Sequence, residues 1–83
     1  MEVHVLIYTK TNCPYCVRAK QFFKEKNIIF EEVDLTNDSS ELDKLKGVTG
    51  FLTLPQIFIN HEFVGGYADL IEKFENGEIE ELK

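Results

Sequence analysis

Residues 3–16 read VHVLIYTKTNCPYC, an apolar run that ends shortly before two cysteines. Val3 to Tyr8 is apolar on both alternating faces, which is typical of a central strand covered on both sides. Pro14 suits the first turn of a helix, where a backbone N–H would have no acceptor in any case. The stretch therefore predicts a buried strand at 3–8 and a helix from Pro14, with Cys13-Pro14-Tyr15-Cys16 where one gives way to the other.

The two cysteines are the only ones in the chain, and their spacing brings both sulfurs within bonding reach at a helix start. The unpaired N–H groups and the positive end of the helix dipole stabilise a thiolate at Cys13. Because the thiolate is the attacking species in thiol–disulfide exchange, we expect Cys13 to be an exposed nucleophile. Cys16 shares a helix face with Ala19 and Phe23, which places it on the inner side.

A structural role for this pair is disfavoured, because a bridge three residues long removes little entropy from the unfolded chain. Catalysis and metal binding both remain open. The two histidines, His4 and His61, lack ligand-like spacing to the cysteines, so a Cys2His2 zinc site is disfavoured. An iron–sulfur cluster would need further thiolates from a second copy or from a small thiol.

Length and charge bound the remaining possibilities. Eighty-three residues with 43% hydrophobic content and a formal charge of −6 indicate one domain over 1–83 and argue against a nucleic-acid surface. The N-terminal apolar run is too short for a signal sequence or a membrane span, so a cytoplasmic location is expected. The segment 9–26 is nevertheless basic, with Lys10, Arg18, Lys20, Lys24 and Lys26. This indicates either an ordinary solvated helix face or a positive rim that favours a thiolate and an anionic substrate.

The later elements follow from periodicity and turn signals. The first helix is expected to end at Lys26-Asn27, and Asp38 begins a capping motif with Glu41. A hairpin is expected around Asn60-His61 and an acidic tail after Gly77. The predicted strands are 3–8, 29–34, 56–59 and 62–64, and the later helices are 40–46 and 67–76. This order, β-α-β-α-β-β-α, predicts a mixed four-stranded sheet flanked by three helices, with a parallel crossover first and an antiparallel hairpin later.

Three motifs resemble those of the glutaredoxins, which have the thioredoxin fold. They are Tyr8-Thr9-Lys10 before Cys13-Pro14-Tyr15-Cys16, then Thr53-Leu54-Pro55-Gln56-Ile57-Phe58-Ile59, then Gly65-Gly66 leading to Asp69-Leu70. The resemblance spans nearly the whole chain. It implies a glutathione-dependent thiol–disulfide oxidoreductase of the dithiol class, with Cys13 attacking and Cys16 resolving.

The resemblance also implies a glutathione site. Pro55 should be cis, with the Leu54 backbone pairing with the cysteinyl part of glutathione. The N–H groups at Gly66, Tyr67 and Ala68 should hold the γ-glutamyl carboxylate, with Asp69 near the ammonium group. The full set of glutathione-binding residues implied is Lys10, Tyr15, Thr53, Leu54, Pro55, Gly66, Tyr67, Ala68 and Asp69.

Two departures from the family pattern weaken the expected glutathione contacts. Tyr67 stands where many glutaredoxins have cysteine, and Ala68 stands where they have serine or aspartate. A polar helix residue that often contacts the glycyl carboxylate falls near Leu42, which cannot serve; Lys44 or Lys46 would have to compensate.

The partners implied are glutathione and glutathionylated or disulfide-containing proteins, with ribonucleotide reductase as a candidate. A monomer is expected, with no metal, nucleic-acid or membrane partner. Two alternatives stay open: a thioredoxin-like electron donor served by a reductase protein, and an iron–sulfur binding module.

Overall fold

A computed structural model describes residues 3–79 and confirms the predicted fold class. Four strands form one mixed sheet in the order β2-β1-β3-β4, accompanied by three helices. The elements along the chain are β1 (Val5–Thr9), α1 (Pro14–Glu25), β2 (Glu31–Asp34), α2 (Ser39–Thr49), β3 (Gln56–Ile59), β4 (Glu62–Gly65) and α3 (Tyr67–Glu75).

Strand β1 lies at the centre of the sheet. It pairs parallel with β2, which requires the crossover through α1, and antiparallel with β3. Strands β3 and β4 form an antiparallel hairpin. At the hairpin turn, Asn60 and His61 have φ of 51° and 70°, so the tight two-residue turn forms even though histidine stands where glycine is usual.

The main core lies between one face of the sheet and helices α1 and α3. Ala19 and Phe23 of α1 are fully buried, as the helical spacing predicts, and Leu70 of α3 joins them. The edge-to-face pair of Phe22 and Phe74, with ring centroids 5.3 Å apart, joins the two helices. The buried residues of this core are Val5, Ile7, Ala19, Phe23, Ile57, Ile59, Leu70 and Ile79.

Several element ends differ from the predicted ones. Strand β1 begins at Val5 rather than Val3. Strand β2 begins at Glu31 rather than Ile29, which lies outside the sheet and is 89% exposed. Helix α2 begins after Asp38, whose carboxylate accepts a hydrogen bond from the Glu41 N–H. Gly50, at φ 74°, ends that helix.

The helix ends near the cysteines and the C-terminus shift less. Helix α1 ends at Glu25, and α2 continues three residues beyond the predicted Lys46 because Gly47 is accommodated within it. Helix α3 ends at Glu75, one residue early. The part of the expected acidic tail at 80–83 lies outside the described residues. No helix within residues 3–79 is long and apolar enough to cross a bilayer.

Candidate active site

The two cysteines lie at the carboxyl end of β1, where α1 begins. Cys13 is the N-cap of α1, and Pro14 is its first helical residue. Cys13 and Cys16 form a disulfide, and Cys13 Sγ accepts a hydrogen bond from the Cys16 N–H at 3.2 Å. The helix start therefore directs a backbone donor at the first sulfur, as the spacing predicts.

The expectation that Cys13 is exposed is wrong for this disulfide form. Cys13 is 8% exposed and Cys16 is 2% exposed. The cause is a distant segment: the Leu54 carbonyl oxygen lies 3.6 Å from Cys13 Sγ. Cys16 lies on the inner side of α1 with Ala19 and Phe23, as expected.

A groove opens beside the disulfide, between the segment before β3 and the start of α3. Its volume is about 210 Å³. The Leu54–Pro55 peptide bond at its edge is cis, as the family resemblance implies. The lining residues are Tyr15, Phe51, Thr53, Leu54, Pro55, Gly66, Tyr67, Ala68 and Asp69.

The groove thus brings together every residue expected to bind glutathione except Lys10. Lys10 is exposed directly after β1 and is not among the lining residues. Leu42, Lys44 and Lys46 belong to α2 and also lie outside the lining. Lys44 instead pairs with Glu41 at 3.4 Å.

Phe51 is the lining residue that the sequence did not reveal. It stands between α2 and the Thr53-Leu54-Pro55 motif, where there is no helix or strand periodicity to indicate its environment. Its ring packs edge-to-face on Phe63, with centroids 5.6 Å apart. A Cβ at Gly66 would lie 3.3 Å from this ring, so the absence of a side chain at Gly66 lets α3 begin directly against Phe51.

The start of α3 differs in one detail from the expected anion site. Asp69 Oδ2 accepts a hydrogen bond from the Gly66 N–H at 3.0 Å, so that donor is engaged within the protein. Helix geometry leaves the N–H groups of Tyr67 and Ala68 without intrahelical acceptors. Of the three N–H groups expected to bind an anion, these two are therefore the ones that Asp69 does not engage.

Much of the basic segment 9–26 lies away from the cysteines. Lys20 pairs with Glu32 at 2.9 Å, and Lys24 lies about 15 Å along α1 from Pro14. Lys26 lies over the Phe74 ring, 4.5 Å from its centroid, at the far end of α1. Near the cysteines the basic residues are Lys10 and Arg18, the latter over the Tyr15 ring at 5.3 Å.

Glu32 stands in a hydrogen-bonded cluster below this end of the sheet. The Thr9 hydroxyl donates to Glu32 Oε2 at 2.7 Å, and Lys20 donates to the same oxygen. The Thr9 hydrogen bond, followed by the one from Lys20, lowers the pKa of Glu32 below its ordinary value of 4.5. Within residues 3–79 there is no group of three or more His, Cys, Asp or Glu side chains arranged to hold a metal ion.

Comparison with known proteins agrees with the fold and the cysteine geometry. The family model described as Glutaredoxin matches residues 5–64. Glutaredoxin 1 of Rickettsia typhi is 39% identical over 80 residues, which cover 94% of this chain and 77% of that protein. The crystal structure of glutaredoxin 1 from Francisella tularensis complexed with cacodylate superposes with a TM-score of 0.76 at 37% identity, over 89% of this chain and 94% of that one.

A second solved structure is that of a buckwheat glutaredoxin–glutathione complex. It superposes with a TM-score of 0.87 at 26% identity, over 94% of this chain and 74% of that one. The family match covers β1, the two cysteines, β3 and nearly all of β4. The chain therefore belongs to the glutaredoxin family and is a thiol–disulfide oxidoreductase.

Proposed function

We propose that this protein reduces glutathione mixed disulfides with glutathione as reductant, and that Cys13 is its nucleophile. The observation that carries the proposal is the groove beside the disulfide, whose edge residue Leu54 has its carbonyl oxygen 3.6 Å from Cys13 Sγ. A peptide-sized ligand seated there would bring its own sulfur to Cys13. The likeness to a buckwheat glutaredoxin solved in complex with glutathione supports this choice of ligand.

In the reduced protein, the start of α1 favours the Cys13 thiolate. The Cys16 N–H is directed at the sulfur, the helix dipole adds positive potential, and the first turn of α1 carries no acidic residue. The thiolate attacks the glutathione sulfur of a mixed disulfide. A bond forms between Cys13 and glutathione as the target's disulfide bond breaks, and the target leaves as a thiolate that takes up a proton.

A second glutathione completes the cycle. Its thiolate attacks the glutathione sulfur bound to Cys13, which releases oxidised glutathione and restores the Cys13 thiolate. Each turnover therefore converts one mixed disulfide and one glutathione thiol into oxidised glutathione and the free thiol of the target. The electron pair of the broken S–S bond leaves with the target sulfur, which then takes up a proton.

The groove residues hold the tripeptide in complementary ways. The Leu54 backbone pairs with the cysteinyl part as an edge strand would, next to Thr53 and Pro55. The N–H groups of Tyr67 and Ala68 bind the γ-glutamyl carboxylate at the positive end of α3.

The remaining proposed contacts come from side chains around the groove. One oxygen of Asp69 accepts the Gly66 N–H, which leaves the other for the glutathione ammonium. Tyr15 packs along the ligand, and Lys10 reaches toward the glycyl carboxylate.

For protein disulfides we propose a dithiol route. Cys13 attacks the target disulfide, and Cys16 then attacks Cys13 Sγ, so the target leaves reduced and the Cys13–Cys16 bond forms. That bond is the one present in this structure. Two glutathione molecules regenerate the dithiol, becoming oxidised glutathione.

We propose that residues 1–83 work as a single monomeric domain in the cytoplasm, where glutathione is abundant and thiols are kept reduced. The protein substrates are glutathionylated or disulfide-containing proteins. Ribonucleotide reductase is one candidate among them.

The test is a turnover assay on the mixed disulfide of glutathione and cysteine, coupled to glutathione reductase and NADPH. Cys13→Ser should abolish turnover, whereas Cys16→Ser should retain it. Replacing glutathione and its reductase with thioredoxin reductase should give no turnover. A fully active Cys13→Ser protein, or turnover supported only by thioredoxin reductase, would contradict the proposal.

A further inference from the structure

Residues 50–55 form an irregular segment that joins α2 to β3 and supplies Phe51, Thr53 and Leu54 to the groove. We propose that Gln56, which follows this segment, is a positioning residue. Its side-chain amide fixes the conformation of the segment and so the positions of Thr53 and Leu54 in the groove. This inference rests on the proposed function of the groove. It assigns a role in substrate affinity to a residue that does not line the groove itself.

The Gln56 amide joins the two ends of the segment. Its side chain is fully buried, and its Oε1 accepts a hydrogen bond from the Thr49 hydroxyl at 2.8 Å. Its Nε2 donates to the Phe51 carbonyl oxygen at 2.7 Å. The Phe51 N–H in turn donates to Thr49 Oγ1 at 3.1 Å, which closes a ring of three hydrogen bonds.

This arrangement is not explained by core packing. Side chains alternate along a strand, so Gln56 lies on the opposite face of β3 from Ile57 and Ile59, which belong to the main core. An apolar side chain of similar size would occupy a buried site there without any requirement for partners. Burying an amide is favourable only where its hydrogen bonds are made, and here both bonded groups lie at the segment or at the helix end that precedes it.

The ring of hydrogen bonds fixes the backbone of Phe51, and the Phe51 side chain forms part of the groove wall. Its aromatic ring lies against Phe63 and against the backbone at Gly66. Loss of the Gln56 amide would leave the Phe51 carbonyl without this donor and free the segment that carries Thr53 and Leu54. A ligand would then have to order the segment as it binds, which weakens binding.

The reactivity of Cys13 depends on different contacts. Its hydrogen-bond donor is the Cys16 N–H within α1, and α1 is held by the main core. A positioning role for Gln56 therefore predicts a separation of effects. The KM for the glutathione disulfide rises, whereas the intrinsic reactivity of the Cys13 thiolate stays the same.

The experiment compares Gln56→Met with the wild-type chain. For the mixed disulfide of glutathione and cysteine, we expect the KM to rise about tenfold, the effect of one lost buried hydrogen-bond pair. The rate of Cys13 alkylation by iodoacetamide, measured with Cys16→Ser as background, should not change. Thr49→Val, which removes the hydroxyl that contacts both Gln56 Oε1 and the Leu45 carbonyl oxygen, should raise the KM as well. Thr49→Ser, which keeps the hydroxyl, should have the wild-type KM.

Ile59→Val is the matched control, because it lowers stability by a comparable amount from the other end of β3. The inference is overturned if Gln56→Met and Thr49→Val raise the KM no more than Ile59→Val does. It is also overturned if both lower the alkylation rate in parallel with turnover. If Gln56→Met does not fold, the contrast between Thr49→Val and Thr49→Ser decides. A wild-type chain that shows no saturation with the glutathione disulfide would instead refute the proposed function.

Discussion

Replacing Gly65 by alanine should damage both the stability of the fold and the far end of the groove. Gly65 is buried at the end of β4 with φ +123°, a conformation that side chains disfavour. A Cβ there would lie 2.5 Å from Asp69 Oδ2 and 2.7 Å from Asp69 Cγ. The carboxylate cannot simply swing away without losing its hydrogen bond from the Gly66 N–H.

Two contributions set the size of the effect. The positive φ costs about 1–3 kcal/mol for a residue with a Cβ. Displacing Asp69 from a charged hydrogen bond costs about 1.5–3 kcal/mol more. The expected loss is about 2.5–6 kcal/mol, against a total stability of about 4–12 kcal/mol for a chain of this length.

Gly66→Ala is the matched control for this prediction. Gly66 has φ −94°, so alanine adds no backbone strain, and its Cβ would meet the Phe51 ring at 3.3 Å. A shift of a few tenths of an ångström relieves that contact, so we expect a loss of about 1 kcal/mol. The Gly66 change should act mainly on the groove, as a raised KM for the glutathione disulfide.

Urea unfolding of the reduced proteins, followed by circular dichroism, measures both free energies of unfolding. The reasoning is refuted if Gly65→Ala loses less than about 1 kcal/mol, since the φ contribution alone should reach that value. It is equally refuted if the two alanine variants lose the same amount. Equal losses would mean that neither the φ of Gly65 nor its contact with Asp69 matters.

Two further predictions concern stability away from the groove. At Gly50 and Gly47 an added Cβ meets nothing within 4 Å, so only the backbone conformation distinguishes the two positions. Gly50→Ala, at φ +74°, should lower the free energy of unfolding in urea by about 1 kcal/mol. Gly47→Ala, inside α2, should raise it by about 1 kcal/mol. Changes of the same sign would contradict this account of α2. Glu32 has a pKa lowered by Thr9 and Lys20, so it contributes stability that is present above its unfolded pKa and is lost as the pH falls through its folded pKa. As the pH falls below about 5, Glu32→Gln should therefore lose less stability than the wild type. Equal losses in the two proteins would mean that this cluster contributes nothing. The stability of the Glu32→Gln variant should still fall somewhat with pH, because the Thr36 hydrogen bonds also lower the pKa of Asp34.

The sequence predicts element order and the membership of the groove well, for identifiable reasons. Ala19 and Phe23 repeat at helical spacing and are fully buried. The Thr53-Leu54-Pro55 and Gly65-Gly66 motifs each have a distinctive local backbone conformation: the Leu54–Pro55 peptide bond is cis, and Gly65 has a positive φ. Both lie at the groove, as the family resemblance implies.

What the sequence does not reveal depends on contacts between distant segments. Cys13 is covered by the Leu54 carbonyl, 41 positions away in the chain. The Gly66 N–H donates to Asp69 and is not left for a ligand. Residue types alone do not show whether such a group bonds to a neighbouring side chain or to a bound ligand. Isoleucine favours strands, yet Ile29 lies just outside the edge strand β2 and is exposed.

The central claim is that the groove presents the glutathione half of a disulfide to Cys13. The most direct test is intact-mass measurement of reduced Cys16→Ser protein after brief exposure to the mixed disulfide of glutathione and cysteine. We predict a glutathione adduct on Cys13, with little cysteine adduct, because in the proposed binding mode the glutathione half occupies the groove beside Leu54. Comparable amounts of the two adducts, or an adduct that persists in Cys13→Ser/Cys16→Ser protein, would contradict it.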